Sequence, residues 1–193
     1  MKKTLLILFT GLIFLGCLAL LAGFSTKEKD EKIMTNKKIL VSYFSATGTT
    51  KNVAKKLASV AGADLFEIKP LKPYTNADLD WRDEQSRSSL EMKDSTSRPQ
   101  IASKIEDISK YDIVFVGFPI WWYREPSIID TFIESYDFSN KIIIPFATSG
   151  TSLMGDSAQN IQKLAPNAKV LEGKRFPSNV SEEVLKDWAF EQF

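Results

Sequence analysis

The most constraining feature of this sequence is an apolar run that leads directly into a turn rich in hydroxyl groups. Residues 39–44 are apolar and β-branched enough to form a central strand. Residues 52–58 space their apolar side chains with helical periodicity, so the turn between the two runs lies at the N-terminus of a helix. The unpaired N–H groups and the dipole of a helix N-terminus favour an anion. The pattern therefore predicts a phosphate-binding turn, with hydroxyl donors from Ser45, Thr47, Thr49 and Thr50.

The kind of phosphate follows from what this turn lacks. A nucleoside-triphosphate loop needs glycine where Tyr43 stands, and Lys-Ser or Lys-Thr where Thr49 and Thr50 stand. A dinucleotide-binding fingerprint needs three glycines, and the turn has only Gly48. A single monophosphate bound by neutral donors fits better. The alternative interpretation is a helix N-cap rich in serine and threonine that binds nothing.

Two further loops follow apolar runs and complete a resemblance to a known family. The loop of residues 45–50 resembles the phosphate loop of the flavodoxin family, which binds flavin mononucleotide (FMN). Residues 118–123 are similar to the loop that lies against the flavin ring, and residues 146–151 are similar to the third flavin-contacting loop. The resemblance covers about residues 37–193. It implies FMN contacts from Ser45, Ala46, Thr47, Gly48, Thr49, Thr50, Pro119, Ile120, Trp121, Trp122, Tyr123, Thr148, Ser149 and Gly150.

Strand and helix patterns alternate along the chain, which predicts an α/β fold with a parallel sheet and right-handed crossovers. We expect strands at about 38–44, 64–68, 112–118, 141–147 and 168–172. We expect helices at about 50–61, from Pro126 onward, at about 156–164 and from Ser181 onward. The resemblance implies a flavodoxin-like, doubly wound, five-stranded sheet of order 2-1-3-4-5 with helices on both faces. All three loops then lie beyond the carboxyl ends of strands, where such sheets bind ligands.

The three adjacent aromatic residues of the second loop cannot all point into a core, because neighbours on an extended chain face opposite ways. At least one of Trp121, Trp122 and Tyr123 is therefore left for the surface or for a ligand. Arg124 is either a counter-charge near reduced flavin or a surface residue beside a helix. The third loop departs from the resemblance at Thr151 and Leu153, where related proteins carry more glycine.

The segment between residues 69 and 101 is polar and too long for a structureless loop. We expect a short helix within it, or a lid over the site. Trp81 either covers the flavin or a substrate, or it anchors the segment on the surface.

The residues that are missing narrow the possible chemistry. The chain has no histidine and one cysteine, Cys17, which lies in an apolar leader. These absences exclude a Ser-His-Asp triad, a Cys-His pair and histidine-ligated metal, and in residues 37–193 they exclude thiol chemistry. We predict no metal site and no catalytic side chain. Redox work would belong to a bound cofactor.

The charges are nearly balanced, with 25 basic and 24 acidic residues. Nucleic-acid binding usually needs a clustered basic surface, so no nucleic-acid partner is expected. The expected partner is a redox protein or a small planar electron acceptor.

The N-terminal region predicts a membrane connection. Thr4–Phe24 carries no charge and is long enough to span a bilayer, so residues 1–24 are interpreted as a signal peptide or a membrane anchor. Residues 25–36 then form a linker, and residues 37–193 form the flavodoxin-like domain. Retention, cleavage and lipidation at Cys17 all stay open. With Lys2 and Lys3 in the cytoplasm, a retained anchor places the domain on the extracytoplasmic side. If translation starts at Met34, the protein is cytoplasmic.

Taken together, these patterns favour an FMN-binding electron-transfer protein. One alternative is an FMN-dependent reductase of the NAD(P)H/quinone type. Another is a surface-anchored binding module that has kept the fold and lost the cofactor.

Overall fold

The computed structural model describes residues 37–192, and Lys37–Lys186 forms one compact unit. Residues 37–192 contain six strands: β1 Ile39–Tyr43, β2 Asp64–Glu67, β3 Ile113–Pro119, β4 Ile142–Thr148, β5 Lys169–Val170 and β6 Lys174–Phe176. The same part contains five helices: α1 Thr49–Ala61, α2 Arg87–Lys93, α3 Ser127–Glu134, α4 Ser157–Leu164 and α5 Glu182–Phe190.

The strands form one parallel sheet of order β2-β1-β3-β4-β5, which confirms the predicted order. Val41 pairs with Leu65 on one side and with Phe115 on the other, and Phe115 in turn pairs with Ile144. Strands β1, β3 and β4 are almost continuously apolar, because a central parallel strand is covered on both faces. That composition explains why the predicted bounds of these three strands lie within one residue of the observed bounds.

Alternate side chains of these strands face two different layers of helices. Leu40, Val114 and Ile143 belong to one buried cluster with residues of α3 and α4, such as Phe132 and Ile161. The other face carries Val41, Phe115 and Ile144, and α1 packs against it with its own buried residues, Val53 and Leu57. The predicted arrangement of helices on both faces is confirmed.

The edge of the sheet beside β4 differs from the prediction. Instead of one strand at 168–172, two short strands pair with β4, because the edge contains a bulge. Val170 lies beside Ile143 and Lys174 lies beside Phe146, so the edge has one residue more than β4 over this distance. The extra residue is accommodated at Gly173, which has a φ of 75°. A Cβ at Gly173 would overlap the backbone oxygen of Pro145.

The segment from residue 69 to residue 101 is an ordered excursion that contains the short helix α2. Its ends meet in an antiparallel bridge between Pro70 and Ile101. Inside it, the Glu91 carboxylate accepts hydrogen bonds from Tyr74 Oη at 2.5 Å and from Arg87 Nε at 2.6 Å. The Arg87 guanidinium also lies 3.9 Å from the centre of the Tyr74 ring. Between its bridged ends, this segment is therefore ordered by contacts between side chains and not by a hydrogen-bonded strand ladder.

Helix α3 begins one residue later than predicted. Pro126 is the N-cap of α3 and lies one residue before the helix, whereas the sequence pattern predicted it in the first turn.

The predicted leader (residues 1–24) and linker (residues 25–36) lie outside the described residues. Within residues 37–192, no helix combines the length and the apolar character needed to cross a membrane.

Candidate functional site

The site lies where β1, β3 and β4 end, at Tyr43, Pro119 and Thr148. The chains stay paired just beyond the strands: the N–H of Phe44 donates to the Gly117 carbonyl at 2.8 Å, and the N–H of Ile120 donates to Thr148 at 3.1 Å. Because the strands are parallel, their carboxyl ends bring three loops to one edge of the sheet. The loops open onto a cavity of about 1070 Å³.

Thirteen of the fourteen residues predicted to contact a cofactor line this cavity. The exception is Gly48, which instead forms the N-cap of α1. The lining also includes residues that the sequence analysis did not assign to the cofactor: Leu79, Trp81, Ser88, Thr151, Ser152 and Ser178. Their signal in the sequence is weak, because four of the six are serine or threonine residues. Cofactor contact by the fourteen predicted residues stays a prediction.

The first loop leaves the N-terminus of α1 open. Gly48 has a φ of 90°, and among residues 37–192 no side chain caps the helix. Ser45 is turned back instead, and its Oγ accepts the N–H of Gly48 at 3.1 Å. The hydroxyls of Thr47 and Thr49 lie 3.5 Å apart beside the uncapped turn. This geometry weighs against a simple serine or threonine cap, and it suits a phosphate group that accepts from backbone N–H groups.

Thr50 has a different role from the other hydroxyl residues of this loop. Its side chain is buried, and its Oγ1 lies 2.8 Å from the Oγ1 of Thr148 at the end of β4. Each of these hydroxyls gives the other a hydrogen-bond partner where little water can reach. The pair therefore links the first loop to the third.

The second loop is a tight turn with an unusual sequence. Trp121 and Arg124 exchange two backbone hydrogen bonds, at 2.9 and 3.0 Å. Between them, Trp122 and Tyr123 have φ values of 44° and 64°. Left-handed backbone at both central positions is the type I′ geometry, which normally selects Asn-Gly or similar pairs. Two aromatic residues hold this backbone at a cost of roughly 1–3 kcal/mol each.

The three aromatic residues of this loop divide as the sequence analysis required. Trp121 packs edge-on against Phe44 and Tyr74, with ring centroids 5.6 and 5.3 Å away. Trp122 and Tyr123 remain 42% and 74% exposed while lining the cavity. Trp121 is thus a packing residue, and the other two are available to a ligand.

The third loop is folded on itself and docked on the second. The Ser149 hydroxyl donates to the carbonyl of Ser152. Gly155, with a φ of 55°, lies so close to Tyr123 that a Cβ would overlap the Tyr123 carbonyl oxygen. The N–H of Asp156 also donates to that oxygen, at 3.3 Å. Leu153, one of the two departures from the family pattern, is exposed.

Behind the second loop lies a buried group of charges that the sequence analysis missed. Nη2 of Arg124 lies 2.7 Å from Oε1 of Glu125 and 2.5 Å from Oδ2 of Asp130. Burial raises the pKa of both carboxyl groups, against the opposing effect of Arg124. The sequence signal that could have revealed this cluster is Asp130, an aspartate within the apolar run that forms α3. Arg124 was expected to be a counter-charge near reduced flavin or a surface residue; its side chain is partly exposed and forms ion pairs with both acids, and a role toward the flavin stays a prediction.

One wall of the cavity comes from the excursion of residues 69–101. Trp81 lines the cavity with an exposed ring, and the guanidinium of Arg82 lies 5.2 Å from the ring centroid. Ser88, at the start of α2, lines the same wall and is buried. Among residues 37–192, no group of three or more metal-ligating side chains is suited to hold a metal ion.

The parallel sheet of order 2-1-3-4-5, with a cavity at its carboxyl edge, places the protein among doubly wound α/β proteins. Residues 38–192 match the family described as Flavodoxin. The chain belongs to the flavodoxin family.

Several solved structures and one curated protein are similar to this chain. A candidate flavoprotein from Bacteroides eggerthii is 49% identical, with a TM-score of 0.75, over 79% of this chain and 95% of that one. Another, from Bacteroides uniformis, is 48% identical with a TM-score of 0.76, over 79% and 97%. A Lactobacillus acidophilus flavoprotein solved in complex with FMN shares the fold at 22% identity and a TM-score of 0.58, over 79% and 99%.

The curated relative is a flavodoxin from Haemophilus influenzae, 28% identical over 105 residues. That alignment covers 52% of this chain and 44% of the relative, so it spans less than half of the relative's length.

Proposed function

We propose that this protein binds FMN in the cavity at the carboxyl edge of its sheet and transfers electrons between a donor and an acceptor. The observation that carries the proposal is the convergence of three predicted loops on one cavity that also contains an uncapped helix N-terminus. The flavodoxin family and the FMN complex of the Lactobacillus relative support it.

Each part of the cavity suits one part of this cofactor. The open N-terminus of α1, with the hydroxyls of Thr47 and Thr49, suits the phosphate. The exposed faces of Trp122 and Tyr123 suit an aromatic ring system, since aromatic stacking adds about 0.5–1.5 kcal/mol beyond area burial. FMN would supply the redox chemistry, and the protein would supply binding and orientation.

Titration of the full-length protein with FMN tests the proposal directly. We expect flavin fluorescence to be quenched and the flavin absorption spectrum to be perturbed as protein is added at micromolar concentration. Fluorescence that stays at the value of free FMN would remove the cofactor assignment. That result would instead favour the binding module that has lost its cofactor, which the side chains of Thr151 and Leu153 in the third loop would suit.

A reductase is the second candidate, because the excursion of residues 69–101 adds a wall that cofactor binding alone does not require. Leu79 and Trp81 line the cavity from this wall, and a planar acceptor such as a quinone fits between aromatic surfaces. Oxidation of NAD(P)H by the FMN-loaded protein alone would favour the reductase. A requirement for a separate reductase would favour the electron carrier.

We also propose that residues 1–24 connect the protein to a membrane, with the domain on the extracytoplasmic side. The uncharged run of Thr4–Phe24 after two lysines supports this proposal. Protease treatment of intact cells is expected to remove the domain. A domain protected until lysis, or a mature N-terminus at Met34, would return it to the cytoplasm.

A further inference from the structure

Two carboxyl groups are buried side by side behind the second loop of the site. Glu125 is 0% exposed and Asp130 is 2% exposed. Glu125 follows directly after the tight turn at Trp122 and Tyr123, and Asp130 lies in the first turn of α3. Both carboxyl groups contact the same guanidinium nitrogen, Nη2 of Arg124, at 2.7 and 2.5 Å.

This cluster has more acceptors than donors. Oε2 of Glu125 and Oδ1 of Asp130 are buried and find no hydrogen-bond partner among the described residues, and neither does Nε of Arg124, so two unpartnered acceptors face one unpartnered donor. A buried acceptor without a donor is costly, and such atoms are rare in folded proteins. A single proton held between the two carboxyl groups would give both oxygens a partner.

The contacts with arginine indicate which group holds the proton. Asp130 lies closer to Nη2 of Arg124 than Glu125 does, at 2.5 against 2.7 Å, and Arg98 approaches Asp130 as well. A hydrogen bond between two carboxyl groups exists only when one of them is protonated, so we assign the proton to Glu125 and the negative charge to Asp130. Burial is the largest cause of the raised pKa of Glu125, which reaches about 7.

The surrounding charges do not neutralise the pair in another way. Arg98 approaches Oδ2 of Asp130 only to 3.9 Å, while it makes a two-pronged contact with Glu134 at 2.7 and 2.8 Å. On α2, which the Ser127 hydroxyl joins to α3, Arg87 is paired with Glu91 at 2.6 Å. The two arginines at positions 98 and 124 therefore face three carboxyl groups, and one proton makes this set neutral.

The cluster is connected to the cavity through Arg124. The backbone of Arg124 closes the turn that presents Trp122 and Tyr123, and its side chain is held by the two acids. The Arg124 side chain is 25% exposed, so water can approach the cluster from this side. Charge that arrives in the cavity is therefore separated from the acid pair by this one residue and the turn it closes.

We propose that Glu125 and Asp130 form a proton-binding site that takes up one proton from water when electrons from an external donor add negative charge to the cavity. This inference rests on the proposed function. In this step the proton binds to the Glu125 carboxylate and forms an O–H bond there, the electrons reside on the bound cofactor, and no other bond changes. The pair thereby offsets part of the added charge without a change in the cofactor's own protonation.

The direction of the coupling follows from linkage. Negative charge nearby favours the protonated carboxyl, so reduction raises the proton affinity of the pair, and protonation favours reduction equally. Between the pKa of the pair before reduction and its pKa after reduction, one extra proton is bound per reduction. For a two-electron couple this is a tenfold change in the equilibrium per pH unit, which corresponds to about 30 mV per pH unit.

Redox titration of the FMN-loaded protein across pH tests the coupling. The wild type is expected to show this extra slope around neutral pH, in addition to the slope that protonation of the flavin itself produces. Glu125→Gln mimics the protonated side chain and is expected to lose the extra slope. Glu134→Gln removes the same charge from the exposed end of the cluster and is expected to keep it. Equal slopes in the wild type and Glu125→Gln would overturn the coupling.

A second measurement needs neither a variant nor FMN. Carboxyl carbon resonances of the cofactor-free, full-length protein, followed by NMR across pH, are expected to show one glutamate that titrates well above the usual range. Titration of every glutamate within the usual range would overturn the proton site, even if FMN binds. If FMN does not bind while one glutamate still titrates near neutrality, the proposed function fails, and the redox coupling fails with it.

Discussion

Trp122 and Tyr123 show most clearly how single residues in this protein favour the site over the stability of the fold. Both hold left-handed backbone that Asn-Gly would adopt without strain, and both keep their rings at the cavity. No sequence rule predicts a type I′ turn at a Trp-Tyr pair, because the pattern contains no turn-forming residue. The strain was therefore invisible in the sequence, although the chemical character of the loop was readable from its aromatic residues.

The double substitution Trp122→Asn with Tyr123→Gly tests this interpretation. It should raise the free energy of unfolding by about 2 kcal/mol or more through relief of backbone strain at both positions, and it should weaken FMN binding. Urea denaturation and fluorescence titration measure the two effects. Asn140→Gly is the matched control, because Asn140 has a φ of 63° and does not line the cavity. That control should leave FMN binding unchanged, and unchanged FMN binding in the double variant would contradict the assignment of the turn.

The hydroxyls of Thr47 and Thr49 allow a second prediction at the scale of single residues. Replacing both with alanine should weaken FMN binding by roughly a hundredfold, about 2.8 kcal/mol, since each of the two lost hydrogen bonds to a charged group is worth about 1.4 kcal/mol or more. Riboflavin lacks the phosphate, so its affinity should change little. Parallel titrations with the two ligands give the comparison. Equal losses for both would show that this loop does not hold the phosphate.

Among the elements, those with the plainest apolar pattern were the easiest to predict. Strands β1, β3 and β4 are buried on both faces, and they can be read from runs such as Ile113–Gly117. The split edge could not be read in this way, because β6 contains Lys174 and Arg175, and its pairing depends on a bulge. The excursion of residues 69–101 was equally difficult, because contacts between side chains distant in sequence order it.

The bulge makes a prediction about Gly173. Gly173→Ala should lower the free energy of unfolding by about 2–4 kcal/mol, because the left-handed backbone costs ~1–2 kcal/mol and the new Cβ must also displace Pro145. Gly62→Ala is the control, since Gly62 has a φ of 59° and no described atom lies within 4 Å of an added Cβ. Gly62→Ala should lower the free energy of unfolding only by the cost of the left-handed backbone. Equal urea midpoints for the two variants would show that the edge strand can move to make room for the Cβ at Gly173 without a loss of stability.

For the whole molecule, the order of the sheet explains why loops that are distant in sequence meet. The first and third loops are about 100 residues apart, yet the hydroxyls of Thr50 and Thr148 lie 2.8 Å from each other. Once the strand order was predicted, this meeting followed from parallel topology alone. The buried acids did not follow from it, because burial of Glu125 depends on how α3 and the second loop pack together.

The pH dependence of stability is a property of the whole chain. Asp64 and Asp112 have a pKa below the usual value, through hydrogen bonds from Tyr111 and from the Lys38 N–H respectively, so their contributions are lost as the pH falls below about 4. The contribution of Glu125 to stability changes with pH in the opposite direction. Its pKa is raised from 4.5 to about 7, so its contribution is present below about 4.5 and is lost as the pH rises toward 7.

The free energy of unfolding should therefore be highest in mildly acidic solution and fall toward neutral pH by up to ~1.4 kcal/mol per pH unit. Urea denaturation of the wild type at a series of pH values measures this fall. In Glu125→Gln the fall toward neutral pH should be smaller, with any remaining fall due to the raised pKa of Asp130. A wild-type curve that is already flat between pH 5 and pH 7 would be evidence that Glu125 is ionised throughout.

The bridge between Pro70 and Ile101 has an evolutionary consequence. Because the two ends of this excursion lie side by side, the intervening residues form a cassette that can be lengthened, shortened or exchanged while the strands keep their register. This cassette carries Trp81 and one wall of the cavity. Natural selection, or a protein engineer, can therefore change which molecules reach the site by grafting a different cassette, and leave the rest of the scaffold as it is.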